Sequence, residues 1–260
     1  MKRGFVLGRL GVLLGLLFGR FAVAVDLPPQ PQDTPPPSIR ELSAGVWQVG
    51  PMRVDRADRS VRFPAVLNMR EGLLEYVLVH VRGKDHESLL TTEVQPYHLQ
   101  VAMLLLGAKG AAPGLLTNAP PSGPIRAAEL GAAELGAASP PVPGEPVTIA
   151  VEWRDANGTN RQPVEALLRN KQTGKPMSEG NWTFSGSMVW EGNFIAQIEG
   201  SLIAVITDIS AIFNNPRKDR DEDSLWEANT KALPPERTAV TVTVRRLPAS
   251  TGKSSDQKAK

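Results

Sequence analysis

The stretch "SVRFPAVLNMREGLLEYVLVHVR", residues 60–82, decides how this chain is read. Residues 60–69 and 73–82 are rich in β-branched and aromatic side chains, and "REG" separates them. Two such runs around a short glycine-bearing break predict a β-hairpin. Strand alternation then puts Val77, Val79 and Val81 on one face of the second run. Tyr76, Leu78, His80 and Arg82 fall on the other.

Further along the chain the same signal recurs. "VTIAVEWRD" (147–155) runs into the turn signal "ANGTN", and "QPVEALLRN" is its predicted partner. "NWTFSGSMVW", "GNFIAQIEG" and "SLIAVITD" read as three short strands punctuated by glycine. "AVTVTVRRL" (239–247) alternates strictly and reads as the closing strand. A helix is predicted from Pro96, suited to a first helical turn, to Leu106 before Gly107. Leu99, Ala102, Met103 and Leu106 supply its apolar spacing. A second helix is predicted over 224–233, stopped by Pro234 and Pro235. The expected fold class is therefore α+β: a single domain over 40–247, mainly antiparallel β-sheet with one or two covering helices. No βαβ alternation with phosphate-binding glycines is present, which argues against a nucleotide fold.

The chain ends read differently. Lys2 and Arg3 precede the apolar run 10–19, and Ala22 and Ala24 follow it. This is the order of a secretory signal peptide, with cleavage expected after Ala24. The run is too short for a membrane span, so none is expected after cleavage. The leader carries four cationic residues and no acid, so its removal takes the formal charge from +2 to −2. A near-neutral chain has no electrostatic footprint for nucleic acid. Residues 25–39, with "PPQPQDTPPP", read as a proline-rich tether. Residues 111–146, containing "AAELGAAELGAA", read as a mobile insertion, and 248–260 as a disordered polar tail. There is no cysteine, which excludes disulfides, iron–sulfur clusters and thiolate zinc sites.

All three histidines lie within 80–98. "HESLL" lacks the second imidazole of H-E-x-x-H, whose i, i+4 spacing converges on one metal. A site drawing on His80, His86 and His98 would need strand, loop and helix start to meet. His80 reads equally as a residue on a half-exposed strand face. Ser185 lacks the strand–elbow–helix setting of a hydrolase nucleophile. Asp219, Asp221 and Asp223 alternate as in a calcium loop, but Ser224 and Thr230 stand where the loop needs Gly and a bidentate acid.

The ordered segments "REGLLE" (70–75), "HES" (86–88), "GAK" (107–109), "NKQTGK" (170–175), "WTFSGS" (182–187) with Trp190, and "DSL" (223–225) before Pro234 and Pro235 resemble the YdjY-like domain family of exported bacterial proteins. The resemblance spans roughly residues 46–247 and implies no established reaction or ligand. The family pattern includes His86 and Glu87 and has no counterpart of His80 or His98. Asn68 and Val79 stand where some members carry cysteine.

The expectation is a secreted or periplasmic binding or structural module of the cell envelope, not an enzyme, with an envelope protein or small ligand as partner. No motif calls for a metal or other cofactor. The binding candidates are His86, Glu87, Ser187 and Asp223. The alternative is a metal-dependent or acid/base enzyme centred on His86 and Glu87 with Glu75. A functional site would bring His86, Glu75, Ser187 and Asp223 into one cleft.

Overall fold

The computed structural model describes residues 34–111 and 141–248. The predicted leader, most of the tether, the body of the insertion and nearly all of the tail lie outside the described residues. The first strands are β1 (Ile39–Ser43), β2 (Val46–Val49), β3 (Met52–Asp55) and β4 (Ser60–Leu67). β5 (Tyr76–His80) and β6 (Ser88–Thr92) precede helix α1 (Pro96–Leu105). Next come β7 (Glu145–Asp155), β8 (Gly158–Pro163), β9 (Leu168–Asn170) and β10 (Trp182–Phe184). β11 (Val189–Trp190) and β12 (Asn193–Phe194) lead into the short helix α2 (Ile195–Glu199). The chain finishes with β13 (Ser201–Ala204), β14 (Phe213–Asn214), β15 (Trp226–Ala228) and β16 (Ala239–Arg246).

The main sheet runs β4-β16-β7-β10-β14-β13-β5-β6, and β6 pairs back onto β4. Eight strands thus close into a barrel, which leaves no open edge within the ring. β1, β2 and β3 extend the sheet from β4, and β8 hangs on β7 as a hairpin. The expected α+β sheet with covering helices is incorrect. The molecule is mostly β, with one main helix.

The barrel wall is clearest where alternation is strict. On β4, Val61, Phe63, Ala65 and Leu67 are buried while Arg62, Pro64 and Val66 are exposed. β16 lies between β4 and β7 and aligns Phe63, Val242 and Val151 in one row and Val61, Val244 and Ile149 in the next. Side chains two apart share a face, so these rows fill the interior layer by layer. "AVTVTVRRL" is therefore a central strand of the wall, where its alternation is imposed on both sides. Helix α1 starts at Pro96 as expected and packs against β3 and α2. Leu99, Ala102 and Met103 join the main core, and Gly107 ends the helix with a left-handed φ of 77°.

The predicted hairpin of 60–69 with 73–82 does not form. β4 pairs with β3, β16 and β6, and β5 pairs antiparallel with β13 and parallel with β6. "REGLLE" is no tight turn, because it reaches across to the chain around β15. Leu74 N–H donates to Trp226 O (2.9 Å), Leu73 bridges Glu227, and Arg70 and Thr230 exchange side-chain-to-carbonyl bonds of 3.1 and 2.8 Å. These pairings also remove the predicted helix over 224–233, whose residues form β15 and one 3-10 turn.

Two further elements differ. The partner of β7 is Gly158–Pro163, while "VEAL" is a 3-10 turn. "GNFIAQIEG" is a hairpin strand followed by α2. Glu191 and Gly192 form the β11–β12 turn with φ of 48° and 77°, the left-handed pair that a tight hairpin requires.

Candidate functional site

β5 is buried on both faces, as strands covered twice are. One covering is the segment after β13. Residues 200–215 are buried throughout, although 205–212 form no regular element. Buried irregular chain must satisfy its backbone polar groups locally. Val205 N–H donates to Glu75 O (2.8 Å), Asp208 N–H to Asn214 Oδ1 (3.0 Å), and Ser210 N–H to Asp208 Oδ1 (2.8 Å). Asn214 passes the network on, donating from Nδ2 to Ser185 Oγ (3.1 Å). Ala211 packs on Tyr76, Val79 and Ala204.

This strap holds a carboxylate against β5. Tyr76 Oη donates to Asp208 Oδ2 (2.9 Å), and Lys84 Nζ donates to Tyr76 Oη (3.0 Å) while lying 5.1 Å from the ring centroid. The result is a chain of hydrogen bonds from a surface turn to a fully buried acid, Asp208 (0% exposed). Lys84 reaches it because Gly83 and Gly200 touch. A Cβ on Gly200 would lie 2.9 Å from Gly83 Cα, so only two glycines let the 80–84 turn meet the end of α2. Glu199, beside that contact, joins the cluster.

Burial dominates the electrostatics. It raises the pKa of Asp208 above its ordinary value, against the bonds from Ser210 and Tyr76. It also raises Glu199, helped by the charge of Asp208, with Lys84 opposing. Tyr76 is pushed up by burial and then by Asp208. Glu75 is raised by burial, by the charge of Glu87 and by Asp223, with Lys84 again the opposing charge. One ammonium therefore serves two carboxylate groups, Glu199–Asp208 and Glu75–Glu87. The hydroxyls of Ser210, beside Glu199, and Ser201, beside Asp208 and Tyr76, act against these upward shifts.

The sequence-predicted residues are only partly brought together. Glu75 and Glu87 share a hydrogen bond, with Asp223 beside them. His86 sits on the 3-10 turn Asp85–Glu87 with its side chain 76% exposed, 4.0 Å from Asp85 and 3.8 Å from Glu87. Ser187 is committed to structure: Oγ donates to Ser210 O (2.6 Å) and accepts from Ala196 N–H (3.1 Å). It touches the cluster only by holding Ser210.

The other histidines are also committed. His80 is 4% exposed, not half-exposed, with Nε2 3.0 Å from the Gln95 amide and Nδ1 accepting from Arg82 N–H (3.2 Å). Burial lowers its pKa. His98 Nε2 donates to Pro35 O (2.8 Å) and pins the N-terminal segment. Among the described residues, no group of three or more His, Cys, Asp or Glu converges to hold a metal.

Sequence reasoning missed Tyr76, Lys84, Glu199 and Asp208. The available signal was an acid inside an apolar run, "LIAVITDISAIF", since a lone Asp there must be paired or neutral. A second missed cluster is structural. Glu165, buried, accepts from Arg217 Nη2 (2.9 Å), Trp182 Nε1 (3.1 Å) and Gly180 N–H (3.2 Å). Arg217 also stacks 5.3 Å from the Trp182 ring.

No curated protein and no solved structure matches the chain significantly. The family model for the YdjY domain matches residues 52–245, from β3 to the last residues of β16 and including every residue of the Lys84 cluster. This chain belongs to the YdjY domain family.

Proposed function

We propose that this protein is an exported module of the bacterial cell envelope that binds a small polar ligand at the Lys84–Tyr76–Asp208 cluster and has no catalytic activity of its own. The observation that carries the reading is that hydrogen-bonded chain, which leads inward from the surface turn to a fully buried acid. A buried, polar, hydrogen-bonded chain that begins at a surface turn offers a ligand both charge and oriented donors. Export is supported by the order of Lys2, Arg3, the apolar run and the alanines.

A ligand that binds only the folded state raises its apparent stability. The test is a thermal-shift screen of the full chain against small carboxylates, amines, sugars and metal ions. A stabilising ligand is expected whose effect is lost in Lys84→Met and kept in His86→Ala. Turnover of envelope substrates by the purified chain, abolished by His86→Ala with folding intact, would overturn the reading.

The second reading is acid/base chemistry. The hydrogen-bonded Glu75–Glu87 pair favours it, because one raised carboxyl beside another is how a site keeps an acid protonated. His86 stands beside that pair and Asp223 borders it. Under this reading Glu75→Gln abolishes an activity that His86→Ala only weakens.

A further inference from the structure

We propose that His80 is a proton-operated switch on the turn that carries Lys84, holding Lys84 on Tyr76 when neutral and releasing it when charged. The proposal rests on the ligand-binding reading above and names how that site is regulated. His80 is the last residue of β5 and is 4% exposed. Its N–H donates to Gly200 O (2.8 Å), and its carbonyl accepts from Gly83 N–H (2.7 Å). A Cβ on Gly200 would lie 3.3 Å from the Cβ of His80. The residue thus sits at the same glycine contact that brings Lys84 to Tyr76.

Two donors face the ring nitrogens. Arg82 N–H points at Nδ1 (3.2 Å), and Gln95 Nε2 lies 3.0 Å from Nε2. An amide side chain can turn its oxygen inward, but a backbone N–H can only donate. The neutral ring therefore accepts at Nδ1 and carries its proton on Nε2. A charged ring has a proton on both nitrogens and accepts nothing. Protonation sets donor against donor, so Arg82 N–H must leave, and Lys84 follows two residues on. Two charges act on the ring: Arg82, from the turn itself, and Glu93, from the segment between β6 and α1. Arg82 opposes the charged ring, while Glu93 favours it with its carboxylate and its backbone carbonyl. The charged ring thus gains Glu93 as it loses Arg82, which gives the turn two arrangements. The other neighbours are neutral: Thr92 pairs with it from β6, and Gln95, before α1, is held by Gln197 of α2 (2.6 Å). Glu199, at the end of α2, is engaged with Asp208 and Lys84. Burial first, then Arg82, keeps the ring neutral above its ordinary value of 6.5.

Amide hydrogen exchange of the full chain, followed by NMR from pH 7.5 to 4.5 and corrected for intrinsic rates, tests the switch. Imidazole nitrogen shifts report the His80 ring in the same samples. At pH 7.5 the ring should be protonated on Nε2, with the Arg82 and Gly83 amides protected. As the ring charges, their protection should fall about tenfold, the shift expected when a donor loses its acceptor. Core amides of β4 and β16 should stay protected. His80→Asn sets an amide oxygen near the Nδ1 position and does not titrate, so its turn should stay closed throughout. Protection that persists once the ring is charged overturns the switch. So does a ring still neutral at pH 4.5, a neutral ring protonated on Nδ1, or unprotected turn amides at pH 7.5. An equal loss in His80→Asn, or in β4 and β16, overturns it as well. If the turn opens with the ring but no compound of the thermal-shift screen stabilises the chain, the ligand-binding reading falls and the switch stands. If the turn stays closed while a compound stabilises the chain through Lys84, the switch falls and that reading stands.

Discussion

Gly200 shows how much one residue positions. Its φ of 76° lies in the left-handed region, and the Cβ of any other residue would meet Gly83 backbone at 2.9 Å. Neither strain nor contact can be relieved by rotating a side chain. Gly200→Ala should cost roughly 1–3 kcal/mol or more in denaturant unfolding, because a forced left-handed residue costs about that alone. The loss should exceed that of Gly174→Ala, which also has a positive φ but meets nothing within 4 Å. Glu165 is the other single residue with a large expected effect. Its Oε1 accepts three hydrogen bonds, one from the partly buried Arg217 guanidinium. Glu165→Ala should destabilise by about 3–5 kcal/mol, the cost of breaking a buried ion pair and leaving its partner uncompensated. Equal unfolding midpoints for wild type and variant would remove this anchor from the account. His86, exposed and without a hydrogen bond, should tolerate Ala within about 0.5 kcal/mol.

Among elements, legibility in the sequence followed the range of the interaction. α1 was readable because Pro96, the apolar spacing and Gly107 are all local signals. β4, β7 and β16 were readable because each faces core on one side and solvent on the other, which writes alternation into the chain. The pairing of β5 was not readable. A strand buried on both faces loses its alternation, and its partners β13 and β6 are set by closure of the ring. "SLWEANTKAL" carries helical propensity, but its residues pair with Leu73, Leu74 and β9, so tertiary contact overrides the local preference. The site divides in the same way. Glu75 and Glu87 were legible as acids near a turn. Asp208 and Glu199 became partners of Lys84 only through the Gly83–Gly200 contact, between residues far apart in sequence.

For the whole molecule, the strap after β13 and the end of α2 set carboxylates against β5 without full compensation, and this must appear in its pH dependence. Asp208 and Glu199 have raised values in the folded state, as does Glu75. A raised carboxyl binds more proton when folded, so its contribution is fully present below the unfolded value, near 4. It is lost as pH rises through the folded value. His80 acts oppositely: its value is lowered from 6.5, so its contribution is present above that and lost as pH falls through the folded value. The most direct measurement compares the melting temperatures of wild type and Glu199→Gln from pH 4 to 8. The expected result is near-equality at pH 4, with the variant progressively more stable than wild type as pH rises. A gap that stays constant across the range, or a wild type more stable at pH 8, would contradict a buried carboxylate site short of positive charge.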